Sequence, residues 1–209
     1  MKKTLNIIMI TTFLLLTGCA ATVYLAPEGK SIASQHNIVA ILPPSVVLKS
    51  TKNMSAESVR QQQNEESKVF QQEIYTYLLK RKTKGQMVIN IQDVEETNVT
   101  LNRNDADLSN MTTSEICEIL EVDAVLSSQF SLSKPMSTGA AIALTLVTGF
   151  GGSTNEVQVS LSLKDCSTKS LIWKYDHKWQ GGILTSSSTL VQQLMKNASE
   201  KMPYFKSNF

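Results

Sequence analysis

Cysteines and histidines carry the broadest side-chain chemistry, and this 209-residue chain has few of either: Cys19, Cys117, Cys166, His36 and His177. His177 has no second ligand at metal-binding spacing, and no paired-cysteine motif is present, so no metal site is expected. A Gly-x-Ser-x-Gly elbow is absent, as are a phosphate loop and a dinucleotide fingerprint. The carboxylate pairs Glu65-Glu66 and Glu95-Glu96 are sequence neighbours, which do not face each other on a helix, and both are expected in solvent. No catalytic residue and no cofactor is therefore assigned, and the chain is not read as an enzyme.

Cys19 has the most specific setting. Lys2 and Lys3 form a positive start, Leu5 to Leu16 is an apolar run, and small residues follow. That is a secretory signal, too short for a bilayer-spanning helix, which needs about 20 apolar residues. Leu16-Thr17-Gly18-Cys19 resembles the bacterial lipobox, which implies cleavage after residue 18 and lipidation of Cys19. One acyl chain holds a protein only marginally, at ~0.8 kcal/mol per buried CH₂, whereas two or more anchor it stably. Ala20 and Ala21, with no Asp after the cysteine, resemble the outer-membrane sorting pattern, so an outer-membrane lipoprotein facing the periplasm is expected.

Loss of the signal also removes the charge excess. Without Lys2 and Lys3, 18 basic residues face 18 acidic ones, and nucleic acid is not an expected partner. The basic run Lys80 to Lys84 suits a helix C-terminus, where cations complement the macrodipole.

Residues 20–36, with Pro27 and Gly29, read as a linker, and 37–205 as a single domain. Asn37 to Leu42 is an apolar run ended by Pro43-Pro44, hence a strand covered on both faces, and a polar loop follows. Ser55 caps a long helix whose later face carries Phe70, Ile74, Tyr77 and Leu78. Its Gln- and Glu-rich first half is expected to project from the core. Met87 to Ile91 is a strand, and Val94 to Leu101 a short helix or turn. Thr112-x-x-Glu115 is a capping box, and Asp123 to Leu132 a strand. Glu156 to Leu163 and Leu171 to Gln180 alternate as strands around a turn. Leu190, Val191, Leu194, Met195 and Ala198 line a final helix. The order β-α-β-α-α-β-β-β-α predicts an α/β (α+β) fold, a mixed sheet of about five strands with helices packed on it.

Cys117 and Cys166 follow from that order. The exported compartment permits a disulfide, and a hairpin would return Cys166 to the end where the Cys117 helix stops. Bonding needs Cα atoms within about 7 Å; two separate thiols are the alternative.

Two surfaces are candidates for interaction. Gly139 to Gly152 has no charge and includes Ile142, Leu144, Leu146, Val147 and Phe150. It is either a lipid- or partner-facing hairpin or a small-residue element folded on the sheet. Trp173, Tyr175 and Trp179 share a strand face with His177, as a ligand platform or as core beneath a helix.

The series Ile38-Val-Ala-Ile-Leu-Pro43, Ile89-Asn-Ile-Gln-Asp-Val-Glu-Glu-Thr97, Glu115-Ile-Cys-Glu-Ile-Leu-Glu-Val-Asp-Ala-Val125 and Leu171-Ile-Trp-Lys-Tyr175 resembles a known α/β domain. It is shared by the curli-secretion-channel lipoproteins, the penicillin-binding-protein activators and the N-terminal domain of the Tol propeller protein. Uncharacterised Bacteroidetes secreted lipoproteins are similar too. The resemblance implies a non-catalytic module that binds an envelope protein or supports assembly. Its alternative implication is an oligomeric, membrane-inserting, channel-like subunit that uses residues 139–152. It transfers no binding residue.

Overall fold

The computed structural model describes residues 21–49, 54–133, 156–180 and 186–206. Among these residues, seven strands form one mixed sheet in the order β1-β7-β6-β5-β2-β4, with β3 also on β5. They are β1 (Thr22–Leu25), β2 (Ile38–Ile41), β3 (Ser45–Leu48), β4 (Asn90–Ile91), β5 (Ala124–Leu132), β6 (Glu156–Asp165) and β7 (Leu171–Gln180). The helices are α1 (Gly29–Ala33), α2 (Ala56–Thr83), α3 (Val94–Arg103), α4 (Thr113–Leu120) and α5 (Ser187–Ser199). The expected α+β class holds, with a wider sheet than the sequence pattern suggests.

Alternation sorts the strands between two cores. Leu126, Phe130, Val159, Leu161, Leu163, Trp173 and Tyr175 point to one face and pack against Phe70, Ile74 and Leu78 of α2 and Leu190, Leu194 and Met195 of α5. Phe70 stacks on Phe130 with ring centroids 4.1 Å apart. On the other face Ala40, Leu42 and Val125 meet Leu101 of α3 and Ile116, Cys117 and Leu120 of α4. β2 is buried on both faces for this reason, and its neighbours β4 and β5 run parallel to it.

Local signals set the helix ends. The Ser55 hydroxyl accepts from Ser58 N–H at 3.1 Å. Thr112 and Glu115 make the reciprocal capping box, and Gly85 turns the chain after α2 with φ 69°.

Four expectations are corrected. Residues 21–36 are not a free linker: β1 pairs antiparallel with β7, and α1 follows it. Gly29 sits so close to the sheet that a Cβ would come within 2.8 Å of the Ile172 carbonyl oxygen. The loop after Pro43-Pro44 holds β3, which continues the line of β2 along β5. The strand over 87–91 shrinks to Asn90–Ile91 plus a bridge from Met87 to Phe205. The first half of α2 does not project. Gln62 and Glu66 are buried, and Glu66 accepts from the Ser187 hydroxyl at 3.1 Å, so a tertiary partner replaces the water that its composition implied.

Register defines two poles. β3 ends, β5 ends, β6 begins and β7 ends at one, where Leu132 faces Val157 and Glu156 faces Gln180. β2 begins, β5 begins and β6 ends at the other, where Ala124 faces Asp165.

Candidate functional site

Among the described residues, the second pole brings together a histidine, an aspartate, a tyrosine and two cysteines. His36 precedes β2, Asp165 ends β6, and Tyr204 follows α5. His36 Nε2 lies 2.8 Å from Asp165 Oδ1, and His36 Nδ1 lies 2.6 Å from the Tyr204 hydroxyl. A ring with its proton on Nε2 satisfies both contacts, donating to the carboxylate and accepting the phenol proton. Asp165 Oδ2 accepts from Thr168 N–H and Oγ1, each at 2.5 Å, and from Ser167 Oγ at 2.8 Å. Burial opposes charge on this carboxyl, but the Thr168, His36 and Ser167 donors outweigh it and hold its pKa at about 2. Burial first, then the charges of Asp123 and Asp165, push the Tyr204 phenol well above its usual range. Asp123 Oδ2 accepts the backbone N–H of Asn37 at 2.6 Å and of Ile38 at 3.0 Å, fixing the entry to β2.

Beside this cluster Cys117 and Cys166 are joined, with S–S 2.06 Å and Cα–Cα 5.8 Å. The bond ties α4 to the β6–β7 turn. A cleft of about 570 Å³ opens here, bordered by α1, α4 and that turn. Its rim includes Gln35, Glu118, Asp123 and Thr168.

An Asp–His–Tyr series looks like proton-transfer machinery, yet its geometry does something else. The His36 and Asp165 side chains are only 4% and 2% exposed, and Tyr204 is buried. His36 and Asp165 border the cleft, but both ring nitrogens of His36 are already engaged, one by Asp165 and one by Tyr204. The cluster fastens three chain segments that are far apart in sequence. Its sequence signal was partial: Asp165 with Ser167 and Thr168 is turn chemistry, but nothing pointed to His36 or Tyr204 as its partners.

The other sequence candidates are placed as follows. Trp173 and Tyr175 are buried in the core, so they form no open platform; β7 lies inside the sheet and turns them under the helices. Trp179 is half-buried at the end of β7, and His177 contacts it edge-on at 3.9 Å. Burial pushes the His177 pKa down. Cys19 and the segment 139–152, with Ile142, Leu144, Leu146, Val147 and Phe150, lie outside the described residues. Among the described residues, no group of three His, Cys, Asp or Glu side chains is placed to hold a metal ion, and no helix is long and apolar enough to cross a membrane.

A second, smaller cleft of about 310 Å³ lies where β2 runs into Pro43. Gln71 and Asn98 exchange amide hydrogen bonds of 2.9 and 3.0 Å across it, and Gln71 also donates to the Ile41 carbonyl at 2.8 Å.

No family model matches the chain, and no curated protein matches it. Solved structures do resemble it in fold. Lipoprotein GNA1162 from Neisseria meningitidis matches at 12% identity and TM-score 0.46, over 79% of this chain and 96% of that one. The PelC dodecamer from Paraburkholderia phytofirmans matches at 12% identity and TM-score 0.42, over 91% and 100%. The LpoB C-terminal domain from Salmonella enterica matches at 11% identity and TM-score 0.34, over 69% and 82%.

Proposed function

We propose that the chain is a membrane-anchored envelope lipoprotein whose domain binds a partner without catalysing a reaction. One observation carries the reading: a lipobox cysteine stands almost directly before a domain whose two remaining cysteines are bonded to each other. Lipidation and a persistent disulfide belong to the same exported, oxidising setting. The outer membrane, facing the periplasm, is the location that the residues after Cys19 favour. The non-catalytic half of the reading is supported by the His36–Asp165–Tyr204 cluster, whose ring nitrogens are both engaged, beside a cleft with a polar rim. Such a rim suits a protein segment with hydrogen-bonding groups.

The test is photo-crosslinking in cells from Gln35 and Glu118, both on the cleft, followed by mass spectrometry. A reproducible envelope protein captured from both positions, and not from Val69 on the outer side of α2, is the expected result. Capture of nothing, or equal capture from all three, overturns the reading.

A second reading, an oligomeric membrane-inserting subunit, is favoured by one observation. The strands that flank residues 139–152 meet at the pole opposite the cleft, where Leu132 faces Val157. Leu144→Asp would then abolish assembly or membrane insertion, and an unchanged oligomeric state would remove this reading.

A further inference from the structure

β1 fixes more than the edge of the sheet. Thr22 faces Asp176 and Leu25 faces Trp173, so β1 starts beside the middle of β7, four residues short of Gln180, and runs away from the Glu156–Gln180 pole toward the cleft pole. Ala21 therefore lies on the pole side of Thr22, and it packs against the main core. Cys19 is two residues before Ala21. A chain spans at most ~3.6 Å per residue, so the sulfur-bearing residue stays within about 7 Å of Ala21 whatever conformation it takes. Most of the 17-residue tether suggested by the sequence is taken up by β1 and α1, and the domain has little room to stand off from a lipid anchor.

We infer that the domain rests on the bilayer through the pole where β7 ends, the nearer of the two poles to Ala21, with the cleft held away from the membrane. The inference rests on lipidation of Cys19. The described side chains at this pole suit a lipid headgroup layer. Lys49 and Lys178 both contact Glu156, at 2.6 and 3.1 Å, which leaves a net positive group. Basic residues near an anchor add attraction to anionic headgroups. Trp179 is half-buried beside them, and aromatic residues of this kind favour the membrane–water interface. The cleft pole is displaced from Ala21 by about six residues of β6, roughly 20 Å, which points its rim toward the compartment.

The experiment uses the full, lipid-modified chain in vesicles of phosphatidylethanolamine and phosphatidylglycerol, 3:1 in proportion (roughly a bacterial anionic content), doped with headgroup spin-labelled lipid. A thiol fluorophore is placed in turn at Lys178→Cys, Lys30→Cys and Glu118→Cys; the native disulfide leaves no other free thiol. Quenching several-fold stronger at position 178 than at 30 and 118 is the expected result. Equal quenching at 178 and 30 would mean that the domain lies on its β1 edge, and stronger quenching at 118 would invert it; either overturns the inference. Flotation of the chain with the vesicles is measured beside it. A native chain that floats no better than Cys19→Ser removes the anchoring reading and this inference together. Flotation without the expected quenching removes the inference alone.

Discussion

Breaking the Cys117–Cys166 bond is the perturbation whose effect can be worked most fully from the structure. The two residues are 49 apart in sequence, and their bond holds α4 against the β6–β7 turn. Closing a loop of that size removes chain entropy from the unfolded state worth about 4 kcal/mol at 25 °C by the loop-entropy estimate, within the usual 2–4 for native bonds. Replacing both residues with alanine adds a smaller packing loss, because Cys117 is buried in the second core. Residue-level averages place 1 kcal/mol at about 2–4 °C of Tm for a domain near this size, so a fall of roughly 8–16 °C is expected. The assay is urea unfolding and thermal melting of oxidised, reduced and double-alanine protein. The reduced native chain should lose nearly as much as the double variant. Oxidised and reduced protein with the same midpoint, or two titratable thiols in the oxidised protein, would refute the reasoning.

Asp165 gives a pH-dependent counterpart. Its pKa falls from 3.8 to about 2 on folding, so its contribution is complete above the unfolded value and disappears as pH falls through the folded one. That is about 2 kcal/mol of acid-sensitive stability, and Asp165→Asn should flatten the stability profile between pH 4 and 2 (about two units, as linkage requires). Because Cys166 is the next residue, combining Asp165→Asn with the double-alanine change should give non-additive losses in a double-mutant cycle. Phe70→Ala removes one ring of the Phe70–Phe130 stack and should cost about 3–5 kcal/mol in chemical denaturation. Gly29→Ala forces a Cβ against the Ile172 carbonyl, with an expected loss of about 1–3 kcal/mol, whereas a free linker would show none.

The parts of the fold that were legible in the sequence are those with a strong period. Val157, Val159, Leu161 and Leu163 alternate because one face of β6 is core, and α5 shows its stripe because only one side meets the sheet. Capping at Ser55 and Thr112 was legible because it uses local hydrogen bonds. The failures share a different cause. Thr22-Val-Tyr-Leu25 has the composition of a strand, but four residues beside Pro27 carry too little pattern to stand out from a linker. β3 is as short and follows two prolines, and only its alignment with β2 along β5 makes it a strand. Glu66 looked solvated because burial of a glutamate depends on Ser187, 121 residues away. The His36–Asp165–Tyr204 cluster is nonlocal in the same way: His36 lies 129 residues from Asp165 and 168 from Tyr204, and no spacing rule joins them.

The central claim is that Cys19 is the lipid-bearing start of an exported domain. Its most direct test is the intact mass of the native protein recovered from the membrane fraction, with fragmentation of its first peptide. The expected result is a chain that begins at Cys19 and carries acyl chains on that residue. A chain that still begins at Met1, or one cleaved before residue 19 with an unmodified cysteine, would contradict it.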